Sequence, residues 1–299
     1  MFIRFGIAPI AWTNSDLPQL GGDTSLETCL TESRAAGYSG TETGVKFPMD
    51  ARKLGPILES HELVLVSGWF SGELLSGSLD NEKERMAGQL KAFRVLGAPV
   101  LIYAETSGSV QAKQELGISK RPRLADEEIR AYGRKLTELA EWMAGEGMPM
   151  SYHHHMGTVI ENEHEVDLLM RHTGPAVGLL LDTGHLTYAG ASVLEATRRH
   201  ARRINHVHCK DIRWDVLRAA RQEDMSFLNA ILAGVFTVPG DGMIDYYAFA
   251  RLLAEIDYSG WAVVEAEQDP LKAPPAIYAK LGHRHLTEAF RAAGYEIRE

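Results

Sequence analysis

Apolar residues fall along this chain in eight short runs, several of them near-continuous rather than alternating. They are 3–12 (IRFGIAPIAW), 40–44 (GTETG), 63–70 (LVLVSGWF), 98–105 (APVLIYAE), 148–155 (MPMSYHHH), 177–185 (VGLLLDTGH), 204–211 (INHVHCKD) and 261–268 (WAVVEAEQ). Parallel strands covered on both faces read this way. Between the runs the apolar period becomes helical. Thr24-x-x-Glu27 spells a capping box before Leu26, Cys29 and Leu30, with a stop at Gly37. Asp80 is placed to cap a helix carrying Met86, Leu90 and Phe93 and ending at Gly97. Residues 126–145 repeat apolar positions at Ile129, Leu136, Leu139, Ala140 and Met143. Asn162-x-x-Glu165 opens another helix, with Val166, Leu169 and Met170 inside, and 245–257 and 274–293 are patterned similarly.

Strand–helix units in this number predict an α/β fold, a (β/α)8 TIM barrel forming a single domain over residues 1–299. A doubly wound open sheet uses the same units, but no G-x-G-x-x-G follows the first run. The long connections 107–125 and 212–244 read as insertions, and no linker splits the chain.

Composition narrows the class. The chain has 299 residues, 45% of them hydrophobic, enough for a large core. Its formal net charge is −9 with no Lys/Arg block, which argues against a nucleic-acid partner. No apolar run reaches the ~18 residues that span a bilayer, so no membrane partner is expected. The first residues lack the marks of a signal peptide. Cys29 and Cys209 are too few for a disulfide framework. A cytoplasmic location fits these features. Homo-oligomerisation stays open.

Barrel enzymes carry their sites at the C-terminal ends of the strands. Here those ends concentrate metal-capable groups: His153, His154 and His155; Asp182 and His185; His206, His208, Lys210 and Asp211; Glu265 and Glu267. Side chains alternate along a strand, so His153 and His155 share a face while His154 points away. His206 pairs with His208 in the same manner, and Glu265 with Glu267. The mouth of the barrel thus collects His153, His155, Asp182, His208 and Glu265 near one point. A lone strand-end histidine is more often a satisfied hydrogen-bonding residue. Four strand ends bearing such groups favour a shared metal site. A mixed set of imidazoles and carboxylates suits Mn, Co, Fe or Zn better than a purely oxygen-loving cation.

These residues also carry a family resemblance. Asp182-x-x-His185, then His208 before Lys210-Asp211, then Glu265, resembles the xylose-isomerase-like, endonuclease-IV-type barrel superfamily. The stretches DLPQLGGDTSLETCL, YHHHMGT, GLLLDTGH, HVHCKD, SFLNAILAGVFTVPGDGMID and VVEAEQDP are similar to inosose (2-keto-myo-inositol) dehydratases over almost the whole chain. The resemblance implies a lyase that removes water from an inosose to give a trihydroxycyclohexanedione, in inositol catabolism. It implies a divalent metal, Mn²⁺ or Co²⁺ first, with Zn²⁺ or Fe²⁺ as alternatives. It also associates glutathione with the activity, although no glutathione-site motif is present. Metal ligands carry over to Asp182, His208 and Glu265. His153 takes the fourth position, where the superfamily usually has a glutamate that epimerases use for proton transfer. His185 falls on a second-metal or substrate-binding position.

Dehydration beside a ketone needs a base for the α-proton, stabilisation of the resulting enediolate and an acid for the leaving hydroxyl. A metal chelated by the ketone and a neighbouring hydroxyl supplies the second as a Lewis acid. The candidates for proton transfer are His155, Glu265, Lys46 and Glu42. Trp12, Trp69, His185 and Lys210 are the candidates for binding a small cyclitol ketone, with the tryptophans as apolar walls. His154 reads as structural. The alternative function is a metal-dependent sugar or inosose epimerase or isomerase on the same barrel.

Overall fold

The computed structural model describes residues 1–299. Its strands are β1 (Phe2–Ile7), β2 (Gly40–Glu42), β3 (Val64–Ser67), β4 (Trp69–Gly72), β5 (Leu101–Glu105), β6 (Met150–His153), β7 (Val177–Asp182), β8 (Ile204–Cys209), β9 (Asp211–Ile212), β10 (Phe236–Thr237), β11 (Gly260–Val264) and β12 (Glu296–Arg298). The main sheet is parallel and runs β3-β2-β1-β11-β8-β7-β6-β5-β4. Its two ends, β3 and β4, belong to one apolar run broken at Gly68, so the sheet returns on itself as a (β/α)8 barrel. Continuous burial of β5, β6 and β7 accounts for their unbroken apolar runs: lumen packs one face and helices the other.

The helices lie where the period places them, with shifted caps. Ser25, not Thr24, caps Leu26–Ala35 by accepting the Thr28 N–H, and Ser78, not Asp80, caps Leu79–Val95. Asn162 and Glu165 form the reciprocal capping box that their spacing spells. Two further helices, Ala51–Ser60 and Val193–His200, lie outside the sequence pattern; the first carries Pro56 inside it.

The two insertions shape the mouth. Residues 212–244 form helices Trp214–Gln222 and Phe227–Ala233 and the antiparallel pair β9–β10. Residues 107–125 are irregular apart from a turn at Ile118–Lys120 and are tied down at several points. The Val110 N–H donates to Gly157 O at 2.9 Å, Ile118 N–H to Met225 O at 3.1 Å, and Ser119 Oγ to Asp224 Oδ2 at 2.6 Å. Buried Arg121 pairs with Glu161 and Glu165 at 2.9 and 2.7 Å. No helix is long and apolar enough to cross a membrane.

Candidate active site

Strand β7 ends at Asp182, where a short helix, Thr183–Tyr188, begins at once. The helix start divides the work of this carboxylate. Oδ1 caps the helix by accepting the His185 N–H at 2.7 Å, while Oδ2 is buried with no hydrogen-bond partner. A bare buried carboxylate oxygen is costly unless a cation meets it.

Three strand-end groups surround that oxygen. His153 Nε2, from β6, lies 3.7 Å away, and His208 Nδ1, from β8, lies 3.5 Å away. Glu265, just past β11, places Oε2 3.2 Å from His208 Nδ1. One ligand atom from each of His153, Asp182, His208 and Glu265 lies within 4.8 Å of the others. The partners assign the ring protons. His153 Nδ1–H donates to His154 O, which leaves Nε2 free. His208 Nε2–H donates to Glu42 Oε1 at 2.9 Å, which turns Nδ1 toward the cluster. A metal-binding histidine whose other nitrogen is held by a carboxylate or carbonyl is the usual arrangement at such centres. The donor set therefore fits a divalent transition ion with mixed nitrogen and oxygen ligands.

The electrostatics point the same way. Burial, helped by the positive charges of His208 and Lys210, lowers the pKa of His153 to about 4, and Asp182 and Glu265 only partly oppose it. His208 behaves oppositely: burial disfavours its charge, but Glu42, Glu265 and Asp182 outweigh this and raise its pKa well above the ordinary value.

Glu42, at the end of β2, accepts from Ser67 Oγ, His206 Nε2 and His208 Nε2 at 2.5, 3.0 and 2.9 Å. Burial opposes its ionisation, yet the two imidazoles hold its pKa well below the carboxylate range. It orients His208 rather than standing ready to give a proton. Lys46 is not brought to the cluster. It is exposed and donates to Gly22 O at 2.8 Å, because strand alternation ends at Glu42 and the following turn faces outward. Trp12 also turns aside. Strand β1 stops at Ile7, a 3-10 turn follows at Pro9–Ala11, and the indole N–H donates to Glu32 Oε2 at 2.6 Å.

Lys210 is buried beneath the site, not on its wall. Its Nζ lies 2.7 Å from Glu265 Oε2, 2.8 Å from Glu267 Oε2 and 3.0 Å from His185 Nε2. Gly184 makes room for it, since a Cβ there would stand 2.6 Å from Lys210 Cγ. His185 is fully buried behind His155, ring centroids 3.9 Å apart, and its Nδ1 accepts the Met156 N–H at 3.3 Å. These positions support the cluster and do not place Lys210 or His185 against a substrate. His154 points away from the lumen, as alternation predicts, and its Nε2 accepts the Asp182 N–H at 3.4 Å.

Above the cluster opens a cavity of about 500 Å³, bordered by Asp16, Trp69, Gln111, His155, Glu265 and Glu267 among others. Trp69 meets the rings of His153 and His155 edge-on at 5.5 and 5.4 Å. His155 Nδ1–H donates to Met156 O at 2.8 Å, and burial holds its pKa well below the ordinary value. Burial pushes Glu267 up to about 7 against the attraction of Lys210. Sequence alternation paired Glu267 with Glu265 but assigned it no role. Asp16 and Gln111 lie in loops, where no periodicity marks them.

A parallel barrel whose C-terminal mouth gathers two imidazoles and two carboxylates around one point is an arrangement able to hold a divalent metal. The chain belongs to the xylose isomerase-like TIM barrel family, whose pattern matches residues 30–289. It is 51% identical over 297 residues to the rhizopine catabolism protein MocC of Rhizobium meliloti, covering 99% of this chain and 91% of that one. It is 42% identical over 288 residues to the inosose dehydratase of Geobacillus thermodenitrificans, covering 96% and 97%. Among solved structures, an L-ribulose 3-epimerase shares the fold with a TM-score of 0.70 at 17% identity, covering 98% and 96%. So does the IOLI protein with a binding zinc atom, with a TM-score of 0.65 at 18% identity, covering 97% of each chain.

Proposed function

We propose that this protein is an inosose dehydratase: a hydro-lyase that removes water from 2-keto-myo-inositol at a single divalent transition ion. The observation that carries the reading is the quartet His153, Asp182, His208 and Glu265, with the unpartnered Asp182 Oδ2 at its centre. Close similarity to inosose dehydratases over nearly the full length supports the substrate. We assign manganese or cobalt as the native ion, on the mixed donor set and the family resemblance; zinc fits the same donors.

When bound, the ion supplies a Lewis acid for the ketone oxygen. The chain supplies the rest. His155 is neutral at pH 7, because burial and neighbouring positive groups resist its protonation, and it borders the cavity. We assign it the removal of the α-proton. Glu267 also borders the cavity, and Lys210 fixes its Oε2. We assign it the delivery of a proton to the departing hydroxyl. Glu265 is held ionised: burial opposes this, but Lys210 and His208 outweigh it. That suits a ligand better than a base. Trp69 offers an apolar face to the ring.

The epimerase reading shares the fold. It is disfavoured by His153, an imidazole where the family resemblance places a proton-transferring glutamate. Mass analysis of the product separates the two, since dehydration loses one water and epimerisation loses nothing. Metal-reconstituted protein that leaves 2-keto-myo-inositol at unchanged mass would exclude the dehydratase reading.

A further inference from the structure

Two polar side chains on the cavity wall have no work inside the protein. Gln111 is buried, with 8% of its surface exposed, and its Oε1 has no hydrogen-bond partner. Asp16 also borders the cavity. Burial pushes its pKa up, Glu267 lies near it as a like charge, and no hydrogen bond or cation from the chain meets it. An unmet buried amide oxygen costs about 1–3 kcal/mol, so such groups are retained where a ligand satisfies them.

The fold takes trouble to hold both in place. Gln111 rides on the 107–125 insertion, which Val110 and Arg121 tie to the segment after β6 and which Ile118 and Ser119 tie to the 212–244 insertion. It packs directly on Gly157, in the turn that follows the three histidines. Gly157 has φ +83°, and a Cβ there would stand 2.9 Å from Gln111 N. Asp16 is fixed from its own loop: Asn14 Oδ1 accepts the N–H groups of Asp16 and Leu17 at 2.8 and 2.9 Å. Leu17 in turn belongs to the apolar cluster that contains Met156 and Phe227. Neither side chain belongs to the metal cluster.

We infer that Asp16 and Gln111 form a hydroxyl-reading subsite, which selects ring polyols bearing hydroxyls remote from the ketone. A carboxylate accepts two hydroxyl hydrogen bonds, and an amide accepts one and donates another. This matches successive hydroxyls on a ring whose carbonyl end faces the ion. The inference rests on the dehydratase reading and adds the groups that set its specificity. A site built to meet hydroxyls rejects analogues lacking them, because its own polar groups would stay unpaired.

The test uses full-length metal-loaded protein and the variants Asp16→Asn, Asp16→Ala, Gln111→Glu and Gln111→Leu. Calorimetry measures binding of 2-keto-myo-inositol and of hydroxyacetone, which keeps the ketone and its neighbouring hydroxyl but lacks the ring. Metal content and thermal midpoint are measured alongside. We expect Asp16→Ala and Gln111→Leu to weaken inosose binding about 10–100-fold. Hydroxyacetone binding and metal content should stay at wild-type levels. The conservative variants keep the shape and should show smaller losses. Inosose binding within about twofold of wild type in folded Ala and Leu variants overturns the inference while the dehydratase reading stands. Equal losses for both ligands, or loss of metal, also overturn it. Wild type that neither binds nor dehydrates inosose removes the dehydratase reading, and this inference with it.

Discussion

Asp182 shows how one residue can serve fold and chemistry together. Its Oδ1 caps a helix and its Oδ2 is left bare, so the cap fixes the carboxylate at the angle the cluster needs. Glu42 plays a similar part at one remove, through His208. Replacing it as Glu42→Gln should leave the ligands in place but weaken metal binding about 10–100-fold, read by competition with a chelating dye. Glu267→Gln should instead leave metal content unchanged and lower kcat about 10²–10⁴-fold. A kcat near wild type would remove Glu267 from proton transfer. The strand-end residues of the quartet were legible in the sequence because alternation fixes which side chains enter the lumen. Lys46 and Trp12 were not, because both follow the end of a strand, where alternation no longer fixes direction. Lys210 was seen as polar but not as buried; only the fold shows that Glu265, Glu267 and His185 surround it.

At the scale of elements, the barrel positions the ligands and the insertions close over them. Strand order follows from the runs of apolar residues, and most helices from their period. The cap positions slipped by one or two residues because nearby serines take the role, each accepting the N–H three residues on, at Thr28 and Asn81. What pattern alone did not show is that segment 107–125 is pinned to the turn after the histidines. Gly157→Ala tests that contact. It places a side chain at φ +83° and against Gln111, and should cost about 1–3 kcal/mol in urea unfolding. Hydrogen exchange should rise across residues 107–125. Unchanged exchange there would mean that the turn does not hold the insertion.

Across the whole molecule, the buried histidines tie stability to pH. Burial lowers the pKa of His153 to about 4 and of His154 to about 3, from about 6.5 in the unfolded chain. His155 and His185 are lowered as well. Between those values the unfolded state binds more protons, so stability is fully present above about pH 6.5 and falls as pH drops toward 4. His208, raised by its carboxylates, acts in the opposite sense but is outnumbered. Metal-free protein should therefore show a lower urea midpoint at about pH 5 than at about pH 7. A midpoint that rises on acidification would contradict the assigned neutral histidines. Metal affinity should fall over the same range, because His153 Nε2 and His208 Nδ1 must be free of protons to bind an ion. The 12 histidines in the composition give no hint of this; it follows from the barrel's burying the strand ends.

The central claim is that His153, Asp182, His208 and Glu265 hold the ion that makes water loss from an inosose possible. The most direct measurement pairs metal analysis with product mass for wild type and His208→Ala, both reconstituted with Mn²⁺ or Co²⁺. We expect about one ion per wild-type chain and a product lighter by one water. The variant should lose both the ion and turnover. A His208→Ala protein that keeps its metal and full turnover would contradict the account.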